Sequence, residues 1–319
     1  MKRHLLCACC LLAVMTVFSL DFQIASKDVL IPFGTLVQRQ TLAQTQTSPS
    51  RTALVLGGSM GGLFPASGIL LAASDGMTVA PMSGAIVYAQ VQAPASVFSY
   101  PLGGMLAVMD ADGFLGLIAG LDSASLAEDM LQEAKLAKGK SLRTASEGEG
   151  TARSSEVRLF DTHQRIWLDP CRLVSWQADT VPPAIGEIQL VRKGSSPVPL
   201  IEAKGRTPLV TELAQATYEL LVQSWDRLSP TALQQVAPYR FVARLDGSTI
   251  VDVNFAMARA FENGLSFLGA DPPSATVAKP AATYRIGTLQ LMRGRRELEI
   301  IVEDRKGNVT AQRYILMIR

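Results

Sequence analysis

The sequence predicts a mainly all-β protein of two units. Its apolar runs are short and are punctuated by Gly, Pro, Asn and Asp turn signals. One stretch alone has convincing helical periodicity. Near the C-terminus apolar and acidic residues alternate, the period of a strand with one wet face. The chain has 319 residues, enough for two domains of ordinary size. It is 48% hydrophobic and 18% charged, which excludes a highly charged disordered protein. A net charge of +2 gives no argument for a nucleic-acid partner.

The first 26 residues open with Lys2, Arg3 and His4, followed by an apolar run from Leu5 to Leu20. That run is short for a membrane span and has the pattern of a signal peptide, with an uncleaved N-terminal anchor as the alternative. Both place the rest of the chain outside the cytoplasm, in the periplasm or cell envelope. Cys7, Cys9 and Cys10 lie in this leader, so Cys171 stands alone and is expected to be a small buried apolar side chain. Residues 27–50 are expected to be a linker, because "RQTLAQTQTSPSR" is polar and low in complexity.

Residues 51–178 form the first predicted unit. "MTVAPMSGAIVYAQV" predicts two strands around Ser83-Gly84. "GGMLAVMDADGFLGLIAGL" predicts a hairpin with Ala111-Asp112-Gly113 at its tip. The one short helix follows, with Ser125 and Glu128 as a capping box and Leu126, Met130 and Leu131 on its apolar face. "KSLRTASEGEGTARSS" is expected to be a loop, and "EVRLFDTHQRIWLDP" two strands.

The second unit, residues 179–319, starts at a stiff boundary, Pro182-Pro183. "YELLVQSWD", "YRFVARLDGSTIVDVNF", "YRIGTLQLM" and "RELEIIVEDRKGNVTAQRYILMI" are its strands. Leu298, Ile300 and Val302 alternate with Glu297, Glu299 and Glu303. Asp246-Gly247 and Lys306-Gly307-Asn308 are turns. Several strands separated by turns predict an immunoglobulin-like β-sandwich.

A glycine cluster, "GGSMGG" at residues 57–62, follows the apolar run "ALVL" and mimics a dinucleotide-binding turn. Such a site needs a helix after the glycines, yet Pro65 and Gly68 oppose one. It also needs an acid about twenty residues on, and "MTVAPMSGAIVYA" holds none. No cofactor is therefore expected.

Residues 57–174 instead resemble the lysostaphin-like (LytM-type) zinc endopeptidases, which cut peptidoglycan cross-bridges. "SGILLAASDGMTVAPMSGAIVYA", the hairpin "GGMLAVMDADGFLGLIAGLD", the turn "LAKGKSLRT" and the closing "SSEVRLFDTHQRIWLDP" follow that family's order. The resemblance implies a β-sheet core and a peptide-binding groove. It also implies where ligands would stand. The first zinc-binding His falls at or beside Ala66, the Asp at Leu70 and the last zinc-binding His at Glu156. Its catalytic companion falls at Ser154, and a further catalytic His at Gly120. Beyond the leader the chain has one histidine, His163, so no metal site of this type is expected.

Three functions follow as expectations. The leading one is a catalytically inactive endopeptidase-like module of the cell envelope. It would bind peptidoglycan or another envelope protein, such as a wall hydrolase, as a scaffold or regulator. The second is a residual hydrolase using Asp110, Asp112 and Glu156 as candidate acids, which two of these carboxylates converging in one cleft would support. The third is a structural or adhesive envelope protein whose two units are both interaction modules.

Overall fold

A computed structural model describes residues 24–25, 29–31, 36–38, 63–65, 68–72, 76–90, 104–122, 124, 126, 134–144 and 154–175, and, further on, 179–203, 210–227, 235–261, 264–269 and 282–319. The protein is almost entirely β-structure. Ahead of residue 51 stand β1 (Ile24–Ala25), at the end of the expected leader and paired with the strand Val174–Ser175, β2 (Val29–Ile31) and β3 (Leu36–Gln38), and the first unit continues with β4 (Leu63–Pro65) and β5 (Ile69–Ala72). Next come β6 (Met77–Val79), β7 (Gly84–Gln90), β8 (Gly104–Met109), β9 (Phe114–Leu121) and β10 (Lys135–Leu136). It closes with β11 (Ser141–Arg143), β12 (Ser154–Asp161), β13 (Ile166–Leu168) and β14 (Val174–Ser175).

β12 is the centre of this unit. One edge pairs antiparallel with β9. The other pairs with β5 along its first half and with β13 along its second. The alternation of "SSEVRLF" explains the placement. Ser155, Val157 and Leu159 are buried on one face, while Glu156, Arg158 and Phe160 share the other.

The second unit contains β15 (Ala184–Val191), β16 (Val198–Pro199), β17 (Val210–Leu213), β18 (Ala216–Trp225) and β19 (Arg240–Leu245). β20 (Ser248–Phe261), β21 (Gly264–Leu268), β22 (Thr283–Leu291), β23 (Gly294–Glu303) and β24 (Val309–Ile318) complete it. One sheet has the order β16-β15-β18-β22, and the facing one runs β20-β19-β23-β24-β17. Leu190, Leu220 and Ile286 from the first meet Phe241, Leu298 and Ile300 from the second in one core. Two sheets packed over a shared core are a β-sandwich. Leu298, Ile300 and Val302 are fully buried, as their alternation predicts. The Asp246-Gly247 turn has positive φ at both residues, 51° and 82°, the requirement of a tight two-residue hairpin.

The units are joined by more than a linker. β13 pairs with β20 through Trp167↔Ala258 and Leu168↔Met257, so one sheet runs across residue 178. Ile69, Leu71, Val157 and Cys171 belong to the same core cluster as the sandwich residues. Cys171 is 2% exposed, as its expected role requires. Asp169 accepts from Arg305 Nε at 2.9 Å, and both side chains are more than nine-tenths buried.

Three local expectations differ from the structure. Residues 27–50 are not linker throughout, since β2 pairs with β5 and β3 with β4. Val29-Leu30-Ile31 is apolar enough to join a sheet, and the polar run 39–50 that suggested a linker lies outside the described residues. Ser141–Arg143, expected in a loop, is β11 and pairs with β6. Met77–Val79 and Gly84–Gln90 are both strands, but they pair with other partners and make no hairpin together. Ser125 and Glu128 lie outside the described residues. The residue seen capping that turn is Asp122, whose Oδ1 accepts from Ala124 N–H and whose carbonyl accepts from Leu126 N–H.

Candidate functional site

The sheet register brings several of the assigned positions together. Glu156 lies between Leu70 on β5 and Ala119 on β9, one Cα partner on each side. Ser154 pairs with Ala72. Gly120 is the extra residue of a bulge between Leu121 and Ala119, where β9 slips against β8. Its φ of +83° suits glycine, so an imidazole there would need a strained backbone. The side chains of Leu70 and Ser154 lie outside the description, as does all of Ala66.

Glu156 and Arg158 are two apart on one strand and therefore share a face. Arg158 Nε donates to Glu156 Oε1 at 2.6 Å, with side-chain exposures of 8% and 13%. The Glu156 carboxylate, at the position where the resemblance would put the last ligand, is thus already neutralised by a cation of its own chain. Its cross-strand neighbours are Leu70 and Ala119, neither of which can bind a metal. Gly68 closes over the pair. A Cβ there would stand 2.7 Å from Arg158 Cγ and 3.1 Å from Glu156 Oε1, and would clash with the Val157 carbonyl. Gly68→Ala is therefore expected to destabilise the protein by about 1–3 kcal/mol, read as a lower urea midpoint at unchanged slope. An unchanged midpoint would show that the ion pair is not packed against this turn.

The other predicted acids do not join Glu156. Asp110 and Asp112 sit in the β8–β9 turn, where Asp110 Oδ1 accepts from Asp112 N–H at 3.0 Å and Phe114 N–H at 2.8 Å. Phe114 is opposite Asp161, five residues along β12 from Glu156, about 16 Å at the usual rise. Glu156 therefore stands apart from both turn acids. His163 is exposed in the β12–β13 turn at that same far end. The two tips are clasped there, with Thr162 donating from N–H and Oγ1 to the Gly113 carbonyl.

A second cluster, not anticipated from the sequence, lies at one end of the sandwich. One carboxylate oxygen from each of Asp179, Asp226 and Asp304 lies within 4.8 Å of the others. Asp179 precedes β15, Asp226 follows β18 and Asp304 begins the β23–β24 turn. Asp304 Oδ1 accepts from Lys306 and Asn308 N–H, and its Oδ2 from Asn308 Nδ2. Asn308 Nδ2 also donates to the Asp179 carbonyl at 2.9 Å. That amide is committed to latching this junction.

Burial, then repulsion from Asp304 and Asp179, pushes the Asp226 carboxyl up to about 7. Burial raises Asp179 as well. The folded chain therefore holds a proton on Asp226 that the unfolded chain has released. Between about pH 4 and about pH 7 this group makes stability fall as pH rises. Asp246 and Asp252 act oppositely in a lower window. A backbone hydrogen bond from Glu297 and the Arg240 guanidinium, respectively, lower them, so their contribution is lost only as pH drops through the ordinary carboxylate range. With chelator present, urea unfolding of the wild type against Asp226→Asn is expected to show a stability difference that shrinks toward pH 4 and grows in the variant's favour toward pH 8. A difference independent of pH would contradict the buried-carboxylate assignment.

A family model matches residues 182–319, essentially the sandwich unit. No curated protein matches. Among solved structures, the chain is similar to the extracellular domain of a putative one-component system from B. thetaiotaomicron. That match has 12% identity and a TM-score of 0.21, and it covers 84% of this chain and 31% of the other.

Proposed function

We propose that the chain is an exported protein of the periplasm or cell envelope whose first unit is a degenerate lysostaphin-like domain that binds without cutting. Its partner is peptidoglycan or another envelope protein, such as a wall hydrolase that it scaffolds or regulates. The observation that carries this reading is the Glu156–Arg158 ion pair, in register with Leu70. Two positions that the resemblance assigns to metal ligands, Leu70 and Glu156, are adjacent in the sheet, one apolar and the other held in an internal ion pair. The basic, apolar N-terminus supports export. Among the described residues no helix is long and apolar enough to cross a membrane.

The experiment is elemental analysis of the purified full-length protein together with an assay of peptidoglycan cleavage. Substoichiometric zinc and no release of peptide are expected. Stoichiometric zinc with turnover would overturn the proposal. The structural or adhesive reading differs in partner, and capture of matrix material with neither peptidoglycan nor an envelope hydrolase would favour it.

A further inference from the structure

Two short basic runs, "VRKGSS" at residues 191–196 and "RGRR" at residues 293–296, are remote in sequence. The sandwich brings them to one end. β15 finishes with Val191 opposite Glu219, near the start of β18, and β22 finishes with Leu291 opposite Ala216. The turns that follow leave the sheet at the same end, one with Arg192 and Lys193, the other with Met292 and Arg293. In the facing sheet β23 opens at this level, Gly294 opposite Ile318, and carries Arg295 and Arg296. Gln215 joins the two sides, its N–H donating to the Arg319 carbonyl at 3.0 Å and its Nε2 to the Met292 sulfur at 3.9 Å. Two cations here are committed to acids, Arg296 to Asp246 at 3.0 Å and Arg319 to Glu212. Arg192 is bonded to the Ser195 hydroxyl. Lys193, Arg293 and Arg295 are exposed and make no ion pair among the described residues. A Cβ added at Gly194, Gly247 or Gly294 would meet nothing within 4 Å, so these turns stand in open space. Met292, next to Arg293, is 49% exposed.

We propose that this end of the sandwich docks onto an anionic lipid surface, with Arg192, Lys193, Arg293 and Arg295 against phosphate headgroups and Met292 at the boundary with the acyl chains. The cations stand on projecting turns, which suit a broad plane and cannot enclose a small anion. Guanidinium groups take phosphate oxygens in bidentate fashion. Each unneutralised cation near an anionic surface multiplies partitioning about fivefold. Met292 favours a bilayer over a polyanion in water, because only the bilayer offers an apolar layer to the exposed side chain. The charge is also separated along the sandwich. Asp179, Asp226 and Asp304 lie at the opposite end, and β23 from Gly294 to Glu303 spans about 30 Å between the two. That separation turns the basic end toward a negative surface. The inference concerns the second unit and stands independently of what the first unit binds.

The test is co-sedimentation of the full-length protein with phosphatidylcholine vesicles, with and without phosphatidylglycerol. The apolar N-terminal run is common to every variant, so the readout is the difference between anionic and neutral vesicles. Stronger binding to anionic vesicles is expected at low salt and is lost at high salt. Arg293→Gln with Arg295→Gln should lower that difference about tenfold or more. Met292→Ser should weaken it several-fold. Lys135→Gln with Lys138→Gln removes the same charge from exposed positions of the first unit and should leave it unchanged. All these positions are exposed, so the variants are expected to fold. No preference for anionic vesicles at low salt would overturn the proposal, as would an equal loss in the Lys135 and Lys138 variant. Binding to soluble polyphosphate as tight as to vesicles, with Met292→Ser unchanged, would assign this end to a polyanion and overturn it as well.

Discussion

Arg305→Met is expected to cost about 3–5 kcal/mol of stability, because it strands a buried carboxylate. Arg305 Nε lies 2.9 Å from Asp169 Oδ2, with side-chain exposures of 9% and 8%. The Tyr239 ring packs 5.3 Å below the guanidinium. Asp169 has further commitments, since its Oδ1 holds Cys171 N–H and its own N–H bonds the Ala256 carbonyl. The pair therefore pins the end of the first unit to the β23–β24 turn of the second. Removing the charge on both sides should restore part of the loss, so Asp169→Asn with Arg305→Met is expected to be more stable than Arg305→Met alone. The comparison is Arg313→Met, whose side chain is 65% exposed beside Glu299, and it should cost less than about 1 kcal/mol. Urea unfolding measures all three. A loss below about 1 kcal/mol for Arg305→Met would mean that water reaches Asp169 freely.

Phe255→Ala is expected to be as damaging, at about 3–5 kcal/mol, through a different mechanism. Phe255 is 2% exposed and touches three rings, Phe241, Phe267 and Tyr284, at centroid distances of 5.8, 4.2 and 5.6 Å. These three rings come from β19, β21 and β22 and Phe255 from β20, so the aromatic cluster ties both sheets of the sandwich together. Truncation leaves a cavity that flanking strands cannot close without breaking their ladders. Because β20 also pairs with β13, the damage should reach the first unit. Both units are expected to unfold in one transition in the wild type, with the midpoint lowered in the variant. A first-unit signal unchanged by Phe255→Ala would show that the shared sheet does not couple them.

The strands of the second unit were legible because period-2 alternation and turn residues are local signals. Leu298, Ile300 and Val302 announce a buried face by themselves, and Asp246-Gly247 announces its hairpin. The pairing of β13 with β20 was not legible, because it depends on where Trp167 meets Ala258, ninety-one positions away by number (258 − 167). The same limit hid the acidic cluster. Asp179, Asp226 and Asp304 each look like an ordinary turn acid, and no local pattern says that their loops converge. Leu70 and Glu156, two positions that the resemblance assigns to metal ligands, are Cα partners in the sheet register. Arg158 as the partner of Glu156 was missed, although the spacing of two on a strand was a readable cue.

A cleavage assay separates a first unit that cuts from one that only binds. Full-length protein incubated with insoluble peptidoglycan and added zinc would be assayed for newly released amino groups. No release above buffer is expected, since Glu156, at the position where the resemblance would put a metal ligand, is paired with Arg158. Time-dependent release, abolished by chelator and restored by zinc, would contradict it.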